Sequence, residues 1–201
     1  MLDPKFVIVG AFFNLFGSLS YVVATLKGKT TPNRVTWFLW ALAPLLAFSA
    51  QLSKGVGLSS LMTFMVGFGP LMVLSASFIN RKSVWKITKF DFTCGVLSIL
   101  GLLLWALTRE GNVAIALSIT ADAFAALPTI VKSYTSPETE YSQIFLFGAI
   151  SASITLLTID NWNFATYGFP LYIFGICLVI FGLVHFKIGD LLRKYKSEIL
   201  K

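Results

Sequence analysis

Seven long apolar stretches, nearly empty of charge, set the terms for this chain. They run over residues 6–26, 35–52, 56–79, 92–107, 112–131, 141–159 and 164–186, joined by short polar loops. A hydrocarbon layer about 30 Å thick is crossed by about 20 apolar residues in a helix. Such a helix satisfies its own backbone donors and acceptors, which the membrane interior cannot do. A soluble domain of 201 residues, 56% hydrophobic and only 12% charged, has no way to hide that much apolar surface. The spacing therefore predicts an all-α, polytopic membrane bundle of seven transmembrane helices, with no soluble domain.

Charge placement adds an orientation. With seven spans, the loops after the first, third and fifth helices and the C-terminal tail share one side, and they hold 13 of the 16 Lys and Arg. Lys132 stands in the loop after the fifth helix in this count. Lys5, Lys54 and Arg109 make up the other side. Basic residues collect on the cytoplasmic face, so the N-terminus is expected outside and the C-terminus in the cytoplasm of a cell inner (plasma) membrane. The same rule accounts for the net charge of +7 without a nucleic-acid partner. The opening MLDPKFVIVG lacks a basic region before its apolar run, which favours a retained first helix over a signal peptide. Cys94 and Cys177 both fall in apolar stretches, with no metal-ligand spacing and no reason to expect a disulfide.

An echo runs through the sequence. Lys27-Gly-Lys-Thr-Thr-Pro32 after the first helix answers Lys132-Ser-Tyr-Thr-Ser-Pro137 after the fifth, 105 residues on. The pattern reads as Thr31 and Ser136 capping the next helix, with Pro32 and Pro137 at its first position. Equal placement suggests that helices one to three and five to seven are copies. Three is odd, so a linker helix has to invert the chain between them. This gives a 3+1+3 parallel repeat: residues 1–80, a linker over 81–109, residues 110–187, and a basic tail over 188–201 that reads as a solvated or interfacial helix end.

One acid lies deep in the fifth segment. Asp122 is about ten residues from either end, where a carboxylate costs several kcal/mol unless paired, protonated or hydrated. It reads as a proton site or a ligand for a polar solute; the alternative is a structural group tying helices together. Asn14, in the outer half of the first helix, offers donors and an acceptor to a solute or to Asp122 itself. Trp37 and Trp40 are one turn apart and could stack as a pair on a sugar ring or a base; a headgroup belt explains Trp37 at least as well, and Trp40, one turn deeper, is the better cavity candidate. Trp85, Trp105 and Trp162 read as belt. Pro128 lies about 9 Å from Asp122 along the helix and can act as a hinge. Tyr172 ranks first among the hydroxyls because its helix belongs to the same repeat as Asp122. Gln51 and Gln143 read as vestibule or snorkelling residues, and Glu138 and Glu140 as partners of the next helix's dipole.

A 3+1+3 arrangement with an external N-terminus resembles the PQ-loop superfamily, which includes the SWEET sugar transporters. In that superfamily a Pro-Gln pair sits near the cytoplasmic end of the first helix of each repeat. Here Leu127-Pro128-Thr129 takes the place in the second repeat and Val22-Val23-Ala24 in the first. The strings DxxAxLPTxxKSYxxPExE, KTTPNRVTWFLW and LWALT are similar to a bacterial branch of seven-helix proteins. The resemblance implies a small-solute transporter working by alternating access. Its partners would be a polar solute and membrane lipid, with association between copies left open. No cofactor or metal is expected. The alternative on the same fold is a receptor or sorting protein, as the KDEL receptor resembles SWEETs. Enzymatic chemistry is disfavoured, because the sole histidine, His185, lies at a helix end with no acid or nucleophile spaced to work with it.

Overall fold

A computed structural model describes residues 2–83, 85–107 and 110–199. Arg109 and Lys201 of the charge count lie outside them, as do the side chains of Trp105 and Lys196. The chain is all-helical. Its α-helices are α1 (Phe6–Leu26), α2 (Arg34–Ser53), α3 (Ser60–Ile79), α4 (Lys89–Leu107), α5 (Gly111–Thr135), α6 (Ser142–Leu157), α7 (Phe164–His185) and α8 (Ile188–Ile199), with short 3-10 turns at Gly57–Ser59 and Pro137–Thr139. Among the described residues eight helices stand where seven were expected, because the basic tail forms α8. Among the described residues five are long and apolar enough to cross a membrane, namely α1, α2, α3 with its leading turn, α5 and α7. Helix α6 is apolar but shorter, about 24 Å at 1.5 Å per residue.

The caps differ from the expected ones. Helix α2 begins two residues past Pro32, and its cap is Asn33, whose side chain accepts from the amides of Val35 and Thr36. Thr31 Oγ1 is buried without a partner. In the second copy Pro137 opens a single 3-10 turn instead of α6, and Ser136 makes no side-chain cap bond. Asn33 also donates to Asp91 Oδ1 at 2.9 Å, while Asp91 Oδ2 accepts from the amide of Thr88. One amide side chain thus fixes the starts of both α2 and α4. Helix α7 starts with a full capping box between Asn163 and Thr166.

Packing follows a regular scheme. Helix α3 lies between α1 and α2, and α7 lies between α5 and α6. Across the middle, α1 packs on α6 and α2 on α5, while α4 leans on α5 and touches α2. Small residues allow the close approaches. A side chain at Gly69 of α3 would collide with Ser18 of α1, and one at Gly17 would press on Phe147 of α6. The interior is filled by Tyr21, Trp37, Trp40, Ala121, Ala125 and Phe145 toward one end and by Val7, Met62, Ala152 and Phe169 toward the other. Large apolar side chains, among them Phe12, Phe16, Phe92 and Leu103, cover the outside. An apolar exterior of this extent suits lipid rather than water.

Candidate functional site: a cavity around Asp122

Helix α5 narrows to alanines around its acid, with Ala121, Ala125 and Ala126 all buried, so neighbouring helices close tightly over it. Asp122 is 2% exposed. Its Oδ2 accepts the hydroxyl of Tyr172, from α7, at 2.7 Å. Its Oδ1 is buried with no partner. The acid is therefore half satisfied, an arrangement that costs free energy unless something else reaches it.

Beside that carboxyl is a cavity of about 60 Å³, measured to the centres of water-sized molecules, with Asn14, Trp37, Trp40, Asp122, Phe145 and Cys177 on its wall. A single water needs roughly 10–15 Å³ by this measure, so the space holds several waters or a small solute. Six helices contribute, since α3 adds Pro70 and α6 adds Gly148. A side chain at Gly148 would press on Cys177 Sγ, so its absence lets that thiol reach the wall. The indole N–H of Trp40 is buried and unpartnered, and that of Trp37, also buried, has the Tyr21 hydroxyl beside it. The two rings meet edge to face at 5.4 Å, and Trp40 meets Phe145 in the same way at 6.2 Å.

The structure thus brings Asp122, Asn14 and Trp40 to one cavity and joins Tyr172 to it through Asp122. Asn14 lines the space but makes no hydrogen bond to Asp122, so the direct pairing considered for these two residues is absent. Trp37 does not form part of a belt; it is fully buried on the cavity wall and packs on Tyr21 at 4.7 Å. Exposed Trp162 stacks on Tyr167, as a belt residue can. Pro128 is buried within an otherwise continuous α5. Gln51 neither lines a vestibule nor snorkels. It is fully buried and donates to the carbonyl of Ala165 at 3.2 Å, stapling α2 to the start of α7.

A second buried acid escaped the sequence reading. Glu140 does not cap α6. Its Oε1 pairs with Lys132 Nζ at 2.7 Å, and its Oε2 accepts the hydroxyl of Tyr21 at 2.6 Å. Lys132, treated above as a loop cation, is 99% buried in the last turn of α5, donates to the carbonyl of Thr31 at 2.5 Å and lies 5.0 Å over the Trp85 ring. Trp85 is thereby part of this cluster and not only of a belt. The amide of Thr31 in turn bonds the carbonyl of Thr139 at 3.1 Å. The two echoing loops are therefore a joint, and Tyr21 carries it up to Trp37 beneath the cavity. The available signal was a Lys and a Glu flanking one short turn in a charge-poor chain. Asp91, buried under Asn33, was missed as well, because its partner lies 58 residues away in the chain. No family model, curated protein or solved structure matches this chain.

Proposed function

We propose that this protein is a small-solute membrane transporter, coupled to protons through Asp122, that works by alternating access around the cavity. The observation that carries the reading is a hollow at the meeting point of six helices whose wall holds a buried acid with one oxygen free. A receptor or sorting protein on the same fold has no need of a hollow interior there. Nor does the wall offer a base, nucleophile and acid arranged for catalysis, so binding and release fit it better than an enzyme.

In this reading α4 and α6 also span, and the bundle is a 3+1+3 repeat of the PQ-loop kind. Two features support the repeat: the third helix lies between the other two in each triplet, and the cross-contacts α1–α6 and α2–α5 are reciprocal, as a two-fold relation requires. The N-terminus is outside a plasma membrane and the Lys132 end faces the cytoplasm. Removing buried Lys132 from the charge count leaves 12 basic residues against three. Pro128 is the hinge of α5, and its ring frees one backbone carbonyl to let the lower half swing.

The test is uptake into proteoliposomes under a pH gradient, with a panel of small sugars, amino acids and amines. At least one solute should move with protons in the native protein and not in Asp122→Asn. Absence of pH-dependent flux across the whole panel, or full flux in Asp122→Asn, removes the proposal.

A further inference from the structure

The geometry points to a small organic monocation, an ammonium carrying a neutral hydrogen-bond acceptor, as the ligand class of the cavity; this deepens the transporter reading and rests on it. Asp122 is the only charged side chain among the described residues on the wall. The other buried charge on α5, Lys132, lies ten residues further along the helix and is paired with Glu140. One carboxylate with one free oxygen matches one positive charge. An anion placed there would add charge of the same sign in a water-poor space, and a neutral guest would leave the acid to be neutralised by a proton alone.

The rest of the wall narrows the class further. The indole N–H of Trp40 is a buried donor with nothing to accept it, whereas that of Trp37 has the Tyr21 hydroxyl beside it. A guest that answers both features carries a donor-bearing cation at one end and a hydroxyl, ether or amide oxygen at the other. Aromatic rings on two sides suit an ammonium and its carbon skeleton as well. The enclosed volume limits the guest to a few heavy atoms.

Ammonium and proton then compete for one oxygen, which makes exchange of the two the natural cycle. The titratable groups facing Asp122 are Tyr172 and Cys177, both from α7. Helices α1 and α2 present Asn14, Ser18, Trp37 and Trp40 to the same space, and α4 presents Ser98 to the carbonyl of Ala121. Helix α8 reaches α5 only at its far end, where Arg193 bonds the carbonyls of Tyr134 and Thr135. Among the described residues no other charged group faces the acid, so a single proton decides whether the cation is held.

A matched set of two-carbon probes tests this on the full-length protein in detergent: ethanolamine, ethylene glycol and glycolate, with ethylamine as the amine that lacks the hydroxyl. Cys177 on the wall provides the readout, as protection from a membrane-permeant maleimide, with Cys177→Ser giving the background from Cys94. Ethanolamine should protect at concentrations at least tenfold lower than the other two. Acidification should weaken its protection, by up to tenfold per pH unit. Asp122→Asn should abolish the preference while eluting as a monodisperse folded species, and Trp40→Phe should erase the advantage of ethanolamine over ethylamine. Equal protection by ethylene glycol or glycolate, an unchanged preference in Asp122→Asn, or no protection by ethanolamine overturns the inference. If another solute drives Asp122-dependent proton flux while ethanolamine does not bind, the ligand class falls and transport survives. If ethanolamine binds through Asp122 and no solute moves, the class survives and transport falls.

Discussion

Three carboxylates are buried among the described residues, Asp91, Asp122 and Glu140, and the last two differ most in their surroundings. Glu140 has both oxygens occupied, one by Lys132 and one by Tyr21, and the pair joins two loops and two helices. Asp122 has one oxygen held by Tyr172 and the other bare beside a cavity. A fully satisfied buried charge fixes a joint, because any movement has to break several charge-assisted bonds at once. A half-satisfied one stores a binding opportunity. The comparison separates an acid whose oxygens are both bonded from one with an oxygen left open to a cavity, although both are buried.

The sharpest way to break this comparison is at Glu140. Glu140→Ala leaves Lys132 charged and unpaired in the interior, and thermal unfolding in detergent should register a loss of about 3–5 kcal/mol. The double substitution Lys132→Met with Glu140→Leu should recover most of it, since removing both charges also removes the desolvation cost. If Glu140→Ala is as stable as the native protein, the joint is not structural.

Next in size are the two tyrosines. Tyr21→Phe and Tyr172→Phe each take one hydroxyl from a buried carboxylate, a loss of about 1.5–3 kcal/mol when the acceptor is charged. Both should lower the melting temperature, but only Tyr172→Phe should alter the pH profile of uptake, because the proposed cycle exchanges a proton at Asp122 and not at Glu140. An altered profile in Tyr21→Phe would assign the proton to the wrong acid.

The smallest effect on stability is expected at Asp122 itself. Asp122→Asn keeps an acceptor for Tyr172 and removes a charge from the interior, so its stability should stay within about 1 kcal/mol of native. Uptake nevertheless should vanish. The ranking by stability and the ranking by function then run in opposite directions, which melting and flux measurements on the same four variants can check.

Gly189 offers a control away from both acids. A side chain there would collide with the carbonyl of Tyr134, where α8 meets the end of α5. Gly189→Leu should undock α8, with faster hydrogen exchange confined to residues 187–199. Changed exchange around Asp122 would mean that the tail is coupled to the cavity.

The sequence carried most of the helices. A charge-free apolar run has one stable form in lipid, so α1 and α7 were legible almost to the residue, and Asp122 stood out because an acid in such a run is costly. Local rules failed where partners came from far along the chain. Asn33 took the cap from Thr31 because it also reaches Asp91, 58 residues away. Glu140 left the dipole of α6 for a tyrosine 119 residues earlier. Trp37 moved from an expected belt to the cavity wall because Tyr21 and Trp40 enclose it.

By itself, then, the sequence determined that this chain is helical, apolar on its outside and burdened with one deep acid, since each follows from what a residue costs in hydrocarbon. Which charges are neutralised, and which acid faces open space, was decided only by packing. Those outcomes depend on which side chains meet across helices, and neighbours in the chain do not encode that distance.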